Sequence, residues 1–458
     1  MKILICGAGQ VGRSIARQLS VEENDVTVID QSEELLSRIS ESLEVSTVLG
    51  HASHPDVIQK AGGADAEMMI AVTSSDEVNM VACQIAHSLF RIPSRVARVR
   101  NQSYLSHRWQ DLYRLDHMPI DMIISPEIEV AQAIIRRLNV PGATDMIPYA
   151  GGKVKVIAVQ CLANCPVLNL PMRIIGERAS QLKMNILGVV HEDKFMLPKP
   201  DTVLSLGDEV YFVTSIDDQQ RCMSLFGHEE KAARRVLIFG GGNIGTYIAQ
   251  RLEESDVDVN VKVLEYNRKR AEEIANKLEK ATVIYGSSLD QELLREAHVN
   301  LVETVIAVTN DDEVNVLSSL LAKRSGAQRA IALVNNASYM PLLGNLGIDV
   351  TVNPRETTVS TILQHIRRGK IRGVHTIHDG DAEIIEAEII DDTPLVGKPI
   401  GMIELTAGVM VGGVVRQKKL LKPDPERTLH AGDRIIVVAM TQNVKEVEKI
   451  FSKQADIF

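Results

Sequence analysis

The sequence predicts an α/β chain built twice over, with two parallel-sheet domains that are each followed by a small α+β tail. Three observations carry that prediction. A short apolar run, Lys2-Ile3-Leu4-Ile5-Cys6, feeds directly into Gly7-Ala8-Gly9-Gln10-Val11-Gly12. Strand-like apolar runs then alternate with helical segments, the pattern of a parallel sheet covered on both faces. Gly240, Gly242 and Gly245 repeat the three glycines at one constant spacing of 233 residues, again behind an apolar run, Val236-Leu237-Ile238-Phe239.

The first thirty residues organise the rest. Lys2 to Cys6 reads as a buried parallel strand, and Arg13 to Leu19 as a helix with Ile15 and Leu19 a turn apart. Asp25 to Ile29 reads as a second strand, ending on Asp30. Strand, glycine turn, helix, strand and acid in that order are the dinucleotide-binding arrangement of a Rossmann-like domain. One glycine permits the turn, one lets backbone approach a pyrophosphate, and one lets helix and strand pack closely. Phosphate suits the helix N-terminus, where unpaired amides and the dipole favour negative charge. Asp30 takes the ribose, and because Gln31-Ser32 follow it instead of an arginine, NAD or another adenosine ligand is favoured over NADP.

Further along, Glu33 to Ser40 suits a helix and Val45 to Leu49 a strand ending on Gly50. His51 to Pro55 is loop-like, Asp56 to Ala61 a short helix, and Met68 to Val72 a further strand. Thr73-Ser74-Ser75-Asp76-Glu77-Val78-Asn79 opens another helix, whose acids suit its N-terminus, and Arg95 to Val99 is a strand bearing Arg98. The second half answers element by element: Glu265 is its acid, Val283-Ile284-Tyr285-Gly286 its third strand, and Ala307-Val308-Thr309 precedes Asp312-Glu313-Val314-Asn315. Ordered matches of this kind indicate internal duplication. Each tail carries strand candidates, Val154 to Val159 and Ile186 to Val190 in the first, with Gly207-Asp208 turning into Glu209 to Val213. In the second tail Gly412 to Val415 and Gly432-Asp433 before Arg434 to Val438 repeat that plan. The expected division is 1–140, 141–230, 231–370 and 371–458, with His228 to Arg235 as a polar hinge.

Composition sets the outer bounds. At 458 residues and 45% hydrophobic content the chain exceeds a single core and needs several domains. A net charge of −10 argues against a large nucleic-acid face. No run of eighteen apolar residues occurs and the N-terminus enters a strand at once, so neither a membrane span nor a signal peptide is expected, and the expected compartment is the cytoplasm. The five cysteines, Cys6, Cys83, Cys161, Cys165 and Cys222, form no disulfide framework or metal pattern.

These residues resemble the family of regulator-of-potassium-conductance (RCK) proteins. The resemblance rests on Gly7-x-Gly9-x-x-Gly12 with Asp30, Gly50, Thr73-x-x-Asp76-Glu77-x-Asn79, and the tail pairs Gly207-Asp208 and Gly432-Asp433. It implies a regulator that binds NAD(H) and adenine nucleotides (ATP or ADP), assembles as a homo-oligomer (dimer or tetramer), and gates a TrkH-like potassium pore from the cytoplasmic face of the inner membrane. Carried over residue by residue, the implied site is Gly7, Ala8, Gly9, Gln10, Val11 and Gly12 with Asp30, Gly50, His51, Thr73 and Arg98. In the repeat it is Gly240, Gly242, Asn243, Ile244 and Gly245 with Glu265, Gly286 and Thr309. Two departures stand out. The residue after Gly50, often aspartate in the family, is His51 here and Ser287 in the repeat, and Ala332-Leu333-Val334-Asn335 supplies no arginine at the level of Arg98.

An NAD-dependent oxidoreductase and a free-standing nucleotide sensor are the alternatives. A dehydrogenase needs a positioned acid or base beside the nicotinamide, and His51, His54, His87, His375 and His378 assemble no such site. No G-x-x-x-x-G-K-[ST] motif supports a P-loop ATPase. The expectation is a binding switch without catalytic residues or a metal.

Overall fold

The computed structural model describes residues 1–451 apart from 22, 23, 115, 231, 256, 257, 367–370 and 392. A boundary placed at 370 therefore lies outside the described residues. The chain forms two compact units, one of Met1–Val130 with Pro354–Ile366 and one of Ala131–Asn353 with Arg367–Phe458.

In the first unit, strands β1 (Lys2–Cys6), β2 (Asp25–Asp30), β3 (Ser46–Leu49), β4 (Met68–Ala71), β5 (Ser94–Arg98) and β6 (Met122–Ile124) form one sheet in the order β3-β2-β1-β4-β5-β6. All its neighbouring strands run parallel. This is the doubly wound order whose crevice lies where the winding reverses, between β1 and β4. Helices α1 (Gln10–Val21), α2 (Glu33–Ser40), α3 (Pro55–Lys60) and α4 (Asp76–Ser88) connect the strands, and α5 (Pro126–Leu138) follows β6. The strands are buried on both faces, Leu4 and Met69 towards one helical layer and Ile3, Ile5 and Ile70 towards the other. That explains their unbroken apolar runs. The helix after the glycine turn begins at Gln10, three residues before the expected start, because Gly9 already accepts the Arg13 amide at 2.9 Å.

The second unit holds three parts. The first tail pairs β7 (Ala143–Tyr149), β8 (Val154–Gln160), β9 (Met184–His191), β10 (Lys194–Met196) and β11 (Glu209–Ser215) antiparallel in the order β10-β9-β11-β8-β7, with α6 (Met172–Arg178) and α7 (Gln219–Leu225). The second parallel sheet, β14-β13-β12-β15-β16-β17, is built from β12 (Arg235–Phe239), β13 (Asn260–Glu265), β14 (Thr282–Tyr285), β15 (Thr304–Ala307), β16 (Arg329–Leu333) and β17 (Val350–Val352). Its helices are α8 (Asn243–Glu253), α9 (Arg268–Ala275), α10 (Gln291–Glu296), α11 (Asp312–Arg324) and α12 (Met340–Leu346). The helix that follows β17, α13 (Pro354–Ile366), instead packs against α1 of the first unit and puts Ile362, fully buried, into that unit's core. The second tail repeats the first with β18 (Ile371–Ile377), β19 (Ala382–Glu388), β20 (Val409–Arg416), β21 (Lys419–Leu421), β22 (Arg434–Met440) and α14 (Val444–Phe451).

The two tails share one apolar core, in which Val156, Leu187 and Val213 of the first meet Ile384, Ile436 and Val438 of the second. Polar groups at that junction are matched. The Tyr149 hydroxyl donates to Ile384 O at 3.2 Å, and Asn185 Nδ2 donates to Gly412 O at 3.1 Å. Asp145 meets Arg137 Nη2 at 2.6 Å and His375 Nε2 at 3.0 Å. Burial alone would raise its carboxyl pKa, but Arg137 and His375 outweigh burial and hold it below the usual carboxylate range.

The aspartates of the two Gly-Asp turns are buried and clamp each tail. Asp433 takes Arg416 Nε at 2.8 Å and Nη2 at 2.7 Å, whereas Asp208 takes His191 Nδ1 at 2.7 Å. The hydrogen bond to Asp208, and then its charge, raise the His191 pKa above the ordinary 6.5. A raised folded value means this contribution is complete below pH about 6.5 and is lost as pH rises through the folded value. The first tail is therefore expected to lose protection in hydrogen exchange as pH rises above about 6.5. His191→Arg should flatten that profile, and an unchanged slope in the variant would refute the assignment.

Candidate functional site

Both parallel sheets end their first strand in the same turn. Gly7 and Gly240 adopt φ values of 113° and 100°, left-handed backbone that a side chain resists. A Cβ on Gly12 would stand almost on the carbonyl oxygen of Gly7, far inside the 3.0 Å that such atoms keep, and Gly245 stands likewise over Gly240. Around Gly9 and Gly242 no residue other than their immediate chain neighbours comes within 4 Å of where a Cβ would be. The first and last glycines are thus required by packing, while the middle one leaves backbone bare towards the crevice, where a phosphate can approach it.

The helix ends behind these turns face the same place. Arg13 and Thr246 are the first amides to bond back, to Gly9 O at 2.9 Å and Gly242 O at 3.0 Å. The amides of Gln10, Val11 and Gly12, and those of Asn243, Ile244 and Gly245, are left at the helix termini, which suits an anion.

The acids stand where the sequence expects them. Asp30 Oδ2 accepts the Ala8 amide at 2.6 Å and Oδ1 the Ser32 amide at 2.9 Å. Glu265 accepts Gly241 N–H at 2.6 Å and Asn267 N–H at 2.7 Å. Each acid therefore ties the glycine turn to the end of the second strand, with lone pairs remaining on its oxygens for ribose hydroxyls.

Thr73 and Thr309 close the other wall through residues whose part in it the sequence reading did not assign. Asn79, fully buried, accepts the Thr73 amide at 2.8 Å and hydroxyl at 2.7 Å, and donates to Thr73 O at 3.3 Å and Arg98 O at 2.9 Å. Asn315 does the same for Thr309, donating also to Leu333 O at 3.0 Å. The asparagine pins the ends of two adjacent strands together.

Arg98 donates from Nη2 to Thr73 O at 2.7 Å, while its buried Nε has no hydrogen-bond partner. Burial lowers its pKa, with Arg100 adding to the effect. A guanidinium with an unused donor beside Thr73 suits an anionic group of a ligand. Gly50 and Gly286 have a packing reason to be glycine, since a Cβ there would press on Val57 and Leu293 respectively. Beside Gly50, His51 engages Ser53 through Nδ1 at 2.7 Å and stacks on His54 at 4.8 Å.

The second turn opens on a cleft of about 550 Å³ lined by Gly240, Gly242, Glu265, Gly286, Ser287 and Thr309 among others. That volume is ordinary for a nucleotide-sized ligand. β16 ends in Leu333 where β5 ends in Arg98, as expected, but the cleft has an arginine from its opposite wall: Arg270, on the first turn of α9, donates from Nε to Gly241 O at 2.9 Å. Among the described residues no group of three potential metal ligands occurs, and no helix is long and apolar enough to cross a membrane.

Fold and site define a nucleotide-binding protein of the Rossmann type, duplicated within one chain. Its relatives narrow that class. The TrkA-N domain profile matches residues 3–126 and 236–354, and the TrkA-C domain profile residues 158–227 and 384–452. The Trk system potassium uptake protein TrkA of Azorhizobium caulinodans is 46% identical over 458 residues, covering 100% of both chains. That of Halomonas elongata is 38% identical, covering 98% of each. The chain belongs to the TrkA family, whose nucleotide-binding RCK modules regulate and do not catalyse, and are of the kind that gates TrkH-like potassium channels through a change of conformation. Among solved structures, the GsuK RCK domain superposes with a TM-score of 0.59 at 18% identity, covering 98% of this chain and 94% of that one. The GsuK channel bound to NAD superposes at 0.58 and 19% identity, covering 98% and 78%. These likenesses confirm the duplicated architecture.

Proposed function

We propose that this chain is the nucleotide-responsive regulatory subunit of a TrkH-like potassium pore, held at the cytoplasmic face of the inner membrane as a homo-oligomer, a dimer or a tetramer. In this reading the four expected domains are two nucleotide lobes and two tails. NAD(H) and the adenine nucleotides ATP and ADP are the ligands. The observation that carries the reading is the tie of glycine turn to acid, Ala8 to Asp30 and Gly241 to Glu265, each at 2.6 Å beside bare helix-end amides. In the first lobe the unused donor of Arg98 adds to it.

Occupancy acts as a switch only if the ligand binds one arrangement of the assembly more tightly than another. A tenfold effect needs about 1.4 kcal/mol of such difference, within the range of one charge-assisted hydrogen bond. Asp30→Ala removes the ribose acceptor and frees the turn. It is expected to weaken adenosine-nucleotide binding to the first lobe about tenfold or more, read by calorimetry on the full chain, and to blunt nucleotide control of potassium flux in vesicles carrying the pore. Unchanged affinity would remove the site assignment. Unchanged flux control with lost affinity would leave a nucleotide sensor that works on something other than the pore.

A further inference from the structure

The two clefts carry their positive charge at opposite ends. In a doubly wound sheet the half beyond the first two strands holds the adenosine, and the half on the other side of the reversal holds what lies beyond its diphosphate. In the first lobe the adenosine half is acidic: α2 opens with Glu33 and Glu34 after Asp30, and its third residue is Leu35. The cations are on the far half, where Arg98 donates to Thr73 O at 2.7 Å and Arg100 donates to Ser74 O.

The second lobe reverses this. Helix α9 has no acid in its first turn and opens with Arg268, Lys269 and Arg270. Arg270 occupies the helical position of Leu35, lines the cleft, and is fixed by Gly241 O at 2.9 Å and Glu273 Oε2 at 3.3 Å. On the far half β16 ends in Leu333, followed by Val334, Asn335 and Asn336. Asp312 takes both asparagine amides, at 2.9 Å from Asn336, and the places of Arg98 and Arg100 are held by Leu333 and Asn335.

We propose that the clefts divide their ligands, the second being a site for a short adenosine nucleotide such as ADP, with Arg270 as its specificity-determining residue, and the first for a ligand that spans both halves, such as NADH. This rests on the nucleotide-binding reading above and goes beyond it. A short nucleotide keeps its charge beside Arg270 and the helix-end amides. A spanning ligand placed in the second cleft would carry its distal groups past Leu333 and Asn335, which bring no charge, whereas in the first cleft Arg98 and Arg100 stand at those places.

The test is calorimetry on the full-length chain, titrating ADP into protein saturated with NADH. The expected wild-type result is one further ADP bound per chain. Arg270→Leu, which installs the residue the first lobe already folds around, should weaken that ADP at least tenfold and leave NADH affinity unchanged. Arg98→Gln should do the converse. Thermal unfolding of each variant within a degree or two of wild type shows that the fold is kept, and Arg270→Lys, which retains charge but not the fork, should recover part of the ADP affinity. ADP binding indifferent to Arg270→Leu, or NADH filling both clefts and shutting ADP out, overturns the division of ligands. Wild-type protein that binds neither nucleotide instead overturns the reading on which it rests.

Discussion

Gly12→Val is expected to abolish nucleotide binding in the first lobe and to destabilise that lobe by about 3 kcal/mol, the upper end of what overpacking ordinarily costs. The reason is steric: the new Cβ would sit on Gly7 O, a backbone atom that cannot turn aside without breaking the turn. Gly9→Val is the informative partner. Around Gly9 a Cβ meets open space, so the variant should unfold at the wild-type temperature yet bind nucleotide much more weakly, because its side chain fills the approach to the backbone. Calorimetry and thermal unfolding on both variants separate the two roles. A Gly9→Val protein with undiminished affinity would show that the ligand does not come near this turn.

Asn79→Ala should be the most damaging single change away from the glycines. Its side chain makes four hydrogen bonds in a fully buried place, to the amide, hydroxyl and carbonyl of Thr73 and to the carbonyl of Arg98. Truncation leaves those groups without partners, at about 1–3 kcal/mol for each that water cannot reach, so a loss of about 2–4 kcal/mol is expected. Arg98 should lose its fixed position at the same time, so nucleotide affinity should fall with stability. Asn315→Ala is the control: the same loss of stability in the second lobe with no effect on the first cleft. A thermal unfolding curve for Asn79→Ala that overlays wild type would mean that the strand ends are held by something else.

Much of this was legible in the chain. The glycine turn could be read because its chemistry is local: a left-handed residue at Gly7 and two glycines at helical spacing leave few alternatives once an apolar strand precedes and an acid ends the next strand. The repeat made the second lobe readable from the first. Arg270 was not legible, since a run such as Arg268-Lys269-Arg270 looks like any solvated helix face, and only the bond to Gly241 O turns its third member inward. The asparagines were visible within a motif, but nothing local says that Asn79 reaches across to β5, nineteen residues away. The common core of the two tails and the placement of α13 were out of reach for the same reason. Both depend on partners far apart in sequence, and amphipathic pattern states that a face is buried without stating against what.

The placement of α13 has a consequence for how the molecule is made. Ile362 lies buried in one core with Ile15 and Leu19 of α1, so the lobe whose strands come first in the chain is completed only by a segment more than three hundred residues further on. Domains emerging from the ribosome ordinarily mature in order from the amino terminus. Here the leading lobe stays incomplete until residues 354–366 emerge, and a chain ending before Pro354 would lack the helix that completes its core.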